Sequence, residues 1–481
     1  MPVDEHQRRV IECRSRTLRV VAPAGSGKTQ TIVERVLGRI DEGVRAERIL
    51  VLTFDRAARR SLVERLETRA RERGLDADGT TISTLNAFGA SMLRRHAPHE
   101  PREIAEESLA VRLVAKACGE AGAAEELAAR APSLLVLFAL LKNALHDPRT
   151  GDRRSFVRFL GEDTVAAERM AEISAEVPGI DPAVVAEVFD LTAREMRAAA
   201  VIDFDDQKLR ALALMDRPGI GARVESLWDE VVVDEFQDVN RLDFELVRRL
   251  AVRSDLVVTG DDDQAIYGFR GCSSRFIVGL ESMLARPVES HELSINYRNP
   301  PNLLAHAVRL VERNRGRIPK SPVAARSDAA RVSVLAAAGS GAEAIGLAHR
   351  ARKAIAAGRR PEELAVLGRT NAHCAALAER IRQAGIPCRV RADSTAAENG
   401  GSGAVTVATY FRAKGLQWPV VFLPGCNEGV VPHPRAPVDD ERRLFYVALT
   451  RASQELVATW VAVPEDDARP SRFLIEAGLI E

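Results

Sequence analysis

The sequence predicts an α/β protein built on parallel sheets with crossover helices, interrupted by one all-helical insertion. Three observations predict it. An apolar strand runs through a Gly-rich turn into an amphipathic helix at LRVVAPAGSGKTQTIVERVL (18–37). RILVLTFDRAARRSLVERL (48–66) repeats that scheme, and strand-like runs return at VVVDEF (231–236) and LVVTGDDD (256–263) after a long stretch without any.

Taken in order, residues 1–93 hold these first strand–loop–helix units. Residues 94–200 are rich in Ala, Glu and Arg, with apolar residues at helical spacing and few β-branched runs, which predicts a helical insertion. Residues 201–290 complete the first sheet. A second α/β unit occupies 291–481, with strands at VSVL, LAVLG, VTVAT and VVFLPG. Within it DSTAAENGGSG (393–403) is polar and Gly/Ser-rich without a core pattern, and reads as a flexible loop. There is no tandem repeat.

Composition narrows the class. The chain has 481 residues, 68 basic and 68 acidic, for a net charge of +0. A hydrophobic share of 46% excludes a disordered chain. No apolar run reaches the ~18 residues of a membrane span. The charged amino terminus MPVDEHQRRVIECRSR lacks the apolar stretch of a signal peptide. The six cysteines lie far apart with no CxxC, against a disulfide framework or structural metal, and a cytoplasmic location is expected. Neutrality argues against a wholly basic nucleic-acid coat and leaves a local groove open. Only seven residues are lysine against 61 arginines, and four are tyrosine, so the placement of each lysine and tyrosine is informative.

The segment Ala22-Pro23-Ala24-Gly25-Ser26-Gly27-Lys28-Thr29 follows a strand and opens a helix. Backbone N–H groups of such a loop, with the helix dipole, cradle phosphates; Lys28 would neutralise their charge and Thr29 would ligate Mg²⁺. The strand VVVDEFQD delivers Asp234 to the Mg²⁺ shell and Glu235 to the attacking water. Phosphoryl transfer also needs cations that arrive as the site closes, and Arg298 in SINYRNP and Arg451 in ERRLFYVALTRA stand in suggestive contexts.

With His6-Gln7, LTFDRAARRSL, ISTLNAFGASMLRR, IDFDDQKLRAL, VVTGDDDQAIYGFRG, LAVLGRTNA and the AKGL segment, these words resemble, in order and along nearly the whole chain, the UvrD/Rep/PcrA-type superfamily 1A DNA helicases. The resemblance implies two RecA-like P-loop motor domains, 1A and 2A, with a helical 1B insertion at 94–200. It implies ATP and Mg²⁺ as cofactors. Gln7, Arg35 and Tyr297 would hold adenine, the last two as a sandwich. Gln264 would link the γ-phosphate to the DNA site, Gln417 would meet the ribose hydroxyl, and Arg298 and Arg451 would be arginine fingers. Tyr446 reads as packing. The partner implied is single-stranded DNA, or DNA with a single-stranded tail. Tyr267 and Phe269, with Phe54, stand where the family stacks bases, core packing being the alternative for the two phenylalanines. Thr84, Arg270 and Thr409 would contact the backbone. The Arg-rich stretches 56–73 and 309–320 are read mostly as solvated helix faces.

The chain departs from the family at three of its words. Phe411 stands where a histidine is usual, Gln417 where an acid is usual, and Asn86 where a histidine is common; altered DNA contact or coupling is expected. The 2B subdomain normally enters 2A before AKGL, where this chain has only 393–403, so 2B is expected to be missing or vestigial. The function implied is a 3′-5′ single-stranded DNA translocase or helicase. The alternatives are an ATP-gated DNA-binding motor or sensor subunit of a nuclease or defence complex with little unwinding of its own, its partner a nuclease or repair protein, and, remotely, a P-loop small-molecule kinase, which leaves the aromatic and arginine words unexplained.

Overall fold

The computed structural model describes residues 3–391, 403–462 and 468–481, so the stretch 393–403 lies, except for Gly403, outside the described residues. The first sheet comprises β1 (Thr17–Val21), β2 (Ile49–Thr53), β3 (Thr81–Thr84), β4 (Glu230–Val233), β5 (Asp255–Gly260) and β6 (Glu289–Glu292). Its order is β3-β2-β4-β5-β1-β6, and every pairing is parallel. Successive side chains of a strand point to opposite faces. Ile49, Val51, Val232 and Val257 accordingly enter one core, while Leu50, Leu52, Val231 and Val258 enter the other. Both faces are covered by helices, which is why ILVLT and EVVV read as continuous runs rather than alternating ones.

The second sheet repeats the design with β7 (Arg331–Ala337), β8 (Leu364–Gly368), β9 (Cys388–Val390), β10 (Val405–Thr409), β11 (Trp418–Leu423) and β12 (Ala452–Val461). Its order is β7-β12-β11-β8-β10-β9, again all parallel. Val366, Val407, Phe422 and Val457 fill one face, and Leu367, Ala408, Val421 and Leu456 the other.

Between β3 and β4, helices from Glu107–Glu120 to Pro182–Ala198 bury a core of their own around Leu134, Leu141, Phe156 and Phe189. A short parallel pairing of Glu103–Ile104 with Val201–Ile202 closes the neck of this body. The helix Leu85–His96 runs past residue 94 and sends Phe88 and Met92 into the core of the first unit, so the separate helical body begins after it.

In parallel sheets the loops at the carboxyl ends of the strands form the functional edge. Here the loops after β1, β4 and β5 converge, and the second unit closes over them. Ala24 and Ile266 are buried in the same apolar cluster as Leu303, Tyr410, Leu444 and Tyr446. Among the described residues, no helix is long and apolar enough to cross a membrane.

Candidate functional site

After β1 the chain turns through Ala22–Gly27 into the helix Lys28–Asp41. Gly25 and Gly27 have φ of 77° and 81°, the left-handed region that glycine adopts without penalty. A Cβ on Gly25 would lie 2.7 Å from Arg298 Cβ, and one on Gly27 2.6 Å from Gln7 Nε2. Glycine is therefore required both by the turn and by what crosses it. Asn296 Nδ2 donates to the Ala24 carbonyl at 2.7 Å and the Tyr297 N–H to the Gly25 carbonyl at 2.9 Å, stitching residues 296–298 onto the loop. Gln7 donates to the Ser26 carbonyl at 3.4 Å. Asp4 caps the helix Glu5–Glu12 by accepting the Gln7 N–H at 2.8 Å, and it also accepts the Tyr297 hydroxyl. Gln7, the loop and Tyr297 thus form one wall. Tyr446 is buried, with its hydroxyl against the Ala24 backbone.

β4 carries Asp234 and Glu235 to the same edge. Glu235 has φ 54°, a left-handed conformation that costs a non-glycine residue about 1–3 kcal/mol. That twist sets its carboxylate on Lys28, which also reaches Asp234 Oδ1 at 3.2 Å. Asp234 Oδ1 accepts the Thr259 hydroxyl at 2.8 Å and the Glu235 N–H at 2.9 Å. Burial would raise the Glu235 carboxyl, but Lys28, Lys414 and a hydrogen bond from Gln237 overcome it and hold it down at about 2. Burial wins at Asp234, pushing its carboxyl up against the pull of Lys28. Thr29 lies in the first turn of the helix, next to Lys28.

The opposite wall is cationic. Arg451, 1% exposed, donates to the Val447 carbonyl at 2.8 Å, the Thr450 hydroxyl at 3.0 Å, the Leu416 carbonyl at 3.1 Å and Gln264 Oε1 at 3.4 Å. Arg298 Nε donates to Gln417 Oε1 at 2.8 Å, while its Nη1 is buried without a partner. Among the described residues neither arginine has an acidic group within 4.0 Å. Burial weakens the hold of both guanidinia on their protons, and at Arg451 the charge of Arg298 adds to the effect. Two neighbouring guanidinia without a counter-ion are costly, and an anion between them would relieve that cost. With Lys28 held meanwhile by carboxylates, the arrangement fits a polyphosphate.

One expected contact is replaced. Arg35 does not face the nucleotide wall: it is 1% exposed, doubly bonded to Glu230 at 3.0 Å and to the carbonyls of Val10 at 2.6 Å and Cys13 at 2.8 Å. A carboxylate buried at the start of β4 demands a partner, and Arg35 is consumed by it. Gln417, which is exposed, accepts Arg298 on its side-chain carbonyl.

A row of rings crosses the cleft. Phe54 stacks on Tyr267 at 5.3 Å and 16°, Tyr267 neighbours Phe269 at 6.2 Å, and Phe269 meets Phe411 edge-on at 5.4 Å. Phe269 is 41% exposed, so it is not a core residue. Arg270 lies 5.5 Å from the Tyr267 ring centre, Arg369 5.4 Å from that of Phe411, and Lys414 5.0 Å from that of Tyr267. Thr84 and Thr409 end β3 and β10, and each caps the turn that follows, accepting the N–H of Ala87 at 3.2 Å and of Arg412 at 3.3 Å.

Lys414, which the sequence reading did not single out as a site residue, ties the row to the phosphate side. It pairs with Asp238 and donates to the Gln264 carbonyl at 2.8 Å. Gln237 was missed as well. The signal for Lys414 was the rarity of lysine: of seven, Lys28, Lys142, Lys208, Lys320 and Lys414 are ion-paired with aspartate and at most 15% exposed.

Asp238 gives a pH prediction. Burial pushes its carboxyl up to about 6 against the opposing charge of Lys414. Because the folded value exceeds the unfolded one of about 3.9, the folded state binds the extra proton in this window, and stability falls as pH rises from about 4 to 6. The bridge to Lys414 needs the carboxylate. ATP turnover, measured as kcat/KM against pH, is therefore expected to fall below about pH 6, and Asp238→Asn is expected to abolish that acid limb.

Comparison with known proteins gives a family match. Residues 3–284 match the family described as "UvrD/REP helicase N-terminal domain". Residues 291–396 and 392–462 match "UvrD-like helicase C-terminal domain". Similar proteins include "ATP-dependent DNA helicase UvrD2" of Mycobacterium bovis, 27% identical over 98% of this chain and 81% of that one. They also include "ATP-dependent DNA helicase PcrA" of Staphylococcus aureus, 25% identical over 80% of this chain and 50% of that one.

Proposed function

This chain belongs to the UvrD/REP family of ATP-dependent DNA helicases, and from that premise we propose that it is a DNA-stimulated ATPase moving 3′ to 5′ along single-stranded DNA. Its two parallel-sheet units are RecA-like motor domains. The observation that carries the proposal is the unpaired Arg298–Arg451 couple facing Lys28 and Glu235, joined through Gln264 and Lys414 to the ring row.

In this reading the loop amides and Lys28 take the phosphates. Drawing Lys28 away from Glu235 removes the largest influence holding that carboxyl down, so the base strengthens as substrate binds. Glu235 then orients and deprotonates the attacking water, while Arg298 and Arg451 meet the charge that develops on the γ-phosphate. The buried Asp234 carboxylate and Thr29, on either side of Lys28, suit a hard cation and would hold Mg²⁺, which supplies further neutralisation of the phosphate oxygens. Gln264, bonded to Arg451 at 3.4 Å and to Lys414 at 2.8 Å, passes closure to Tyr267. Phe54, Tyr267, Phe269 and Phe411 stack bases, and Thr84, Arg270 and Thr409 hold the backbone.

We propose that 2B is absent. β9 ends at Val390 and β10 starts at Val405, and the two strands pair in parallel. A parallel crossover needs about a dozen residues, so little chain is left for anything else. The alignment to the mycobacterial relative spans 588 positions against 481 residues here, so roughly a hundred of that relative's positions face gaps.

The test is ATP turnover with and without single-stranded DNA, and translocation on strands labelled at either end. Absence of DNA stimulation, or arrival at the 3′ end, would sink the reading. Tyr267→Ala and Phe411→Ala are each expected to weaken single-strand binding by about 1–3 kcal/mol, read by titration of a labelled oligonucleotide, with DNA-free turnover little changed. Unchanged affinity in both would reduce the row to packing.

A further inference from the structure

Between helix Pro301–Val311 and the short strand Val323–Ala324, the second unit sends a segment back onto the first. Ile318 packs against the core of the first unit, and its N–H donates to Asp262 Oδ2 at 2.9 Å. Arg317 grips Asp263 with two bonds, of 3.0 and 2.7 Å. Lys320, its side chain 2% exposed, reaches three successive aspartates: Asp261 Oδ1 at 3.0 Å, Asp263 Oδ2 at 2.8 Å, and Asp262. All three carboxylates are buried, and three acids at that depth cannot stay ionised together without buried cations.

Asp261 is the branching point. Its Oδ2 accepts Gln264 Nε2 at 2.7 Å, and Gln264 in turn meets Arg451. Its N–H donates to Gln237 Oε1 at 3.0 Å, and the same Gln237 gives its Nε2 hydrogen to Glu235. With one oxygen on the Asp261 N–H and its nitrogen on Glu235, the Gln237 amide has only one orientation. The two oxygens of Asp261 are likewise divided: Oδ1 accepts Lys320 and, at 3.2 Å, the Asp263 N–H, and Oδ2 accepts Gln264.

We propose that Lys320 is a positioning residue for ATP hydrolysis: by holding Asp261 in place it sets both the Gln264 that touches Arg451 and the Gln237 that orients Glu235. The proposal rests on the hydrolytic reading of Glu235 above and extends it, because a residue of the second unit, reaching neither nucleotide nor DNA, then governs the geometry of the base. Lys320 has no direct contact to Glu235 or Arg451, and of its three aspartates Asp261 is the one bonded to Gln264 and Gln237.

The test compares Lys320→Met, Lys320→Arg and the charge-balanced pair Lys320→Met with Asp262→Asn in the full chain, measuring kcat, KM for ATP and thermal midpoint. Misplacing a reacting group by about 1 Å costs about 10²-fold in rate, so Lys320→Met is expected to lose at least about tenfold in kcat with KM changed less than about threefold. Lys320→Arg, which keeps a donor for Asp261, is expected to stay within about threefold of the parent. The balanced pair is expected to regain the thermal midpoint but not kcat, since Asp261 still lacks the lysine, and this arm decides the matter if Lys320→Met alone does not fold. Wild-type kcat in a folded Lys320→Met, or in the balanced pair, overturns the proposal. A parent protein without DNA-stimulated turnover would instead overturn the function on which it rests.

Discussion

Replacing Glu235 with glutamine is expected to lower kcat for ATP hydrolysis by about 10²–10⁴-fold, the usual worth of a positioned general base, while leaving nucleotide affinity close to the parent value. The reasoning is steric and electrostatic together. Glutamine is isosteric, so the left-handed turn at φ 54° and the hydrogen bond from Gln237 can persist. What disappears is the proton acceptor, and with it one of the two carboxylates that hold Lys28 before substrate arrives. Losing that competitor favours phosphate binding, so KM is expected to stay level or fall. Lys28→Ala should act in the opposite sense on binding: it removes the phosphate cation, and it leaves the buried Asp234 and the adjoining Glu235 without their shared partner. Measured by steady-state turnover and a fluorescent nucleotide analogue, Glu235→Gln should bind without turning over and Lys28→Ala should do neither. A Glu235→Gln variant with parental kcat would remove the base from this site.

Much of this site was legible because its parts lie close together along the chain. The phosphate loop is one strand, one turn and one helix, and glycine spacing alone specifies its backbone. Asp234 and Glu235 follow a strand that cannot be anything but central, since EVVV is buried throughout. The rings of Tyr267 and Phe269 lie in one short word, and Phe54 was added by the resemblance to the family's earlier motif. What escaped were pairings made by topology. Arg35 and Glu230 are 195 residues apart, and Lys414 and Asp238 176 apart. Helix periodicity placed Arg35 correctly on the helix Lys28–Asp41, but seven residues beyond Lys28 it is about 10 Å further along the axis, at the level of Glu230 rather than of the loop. Gln417 was expected, from the resemblance, to meet the ribose hydroxyl; only the fold brings Arg298 within 2.8 Å of it. Phe411 was visible as a departure from the family, yet its role depended on Phe269 standing 5.4 Å away. A buried charge in the sequence announces that it needs a partner, and it does not say which one.

The two arginines test that statement from the other side, because the partner proposed for them is the γ-phosphate. Arg298→Met and Arg451→Met are each expected to reduce kcat by about 10³–10⁵-fold, the range in which an arginine finger contributes to phosphoryl transfer. Their effects on the unliganded protein should differ. Arg298 has its Nη1 buried without a partner and gives only its Nε to Gln417, so replacing it removes an unpaired charge at little structural loss. Its thermal midpoint is expected to match or exceed the parent. Arg451 also donates to the carbonyls of Val447 and Leu416 and to the Thr450 hydroxyl; Val447 and Thr450 keep their bond to each other, but stranding the Leu416 carbonyl costs about 1–3 kcal/mol where no water reaches it. Arg451→Met should therefore melt earlier than the parent. A non-hydrolysable ATP analogue at 100 times its Kd stabilises a protein by about 2.7 kcal/mol, so both variants, binding it more weakly, should gain less than the parent at the same concentration. The contrast is what the proposed anion site requires: one cation stands without a partner in the chain, the other also holds the surrounding structure together. If Arg298→Met instead lowers the unliganded melting temperature by several degrees, that side chain is a structural prop and the anion site must be sought elsewhere.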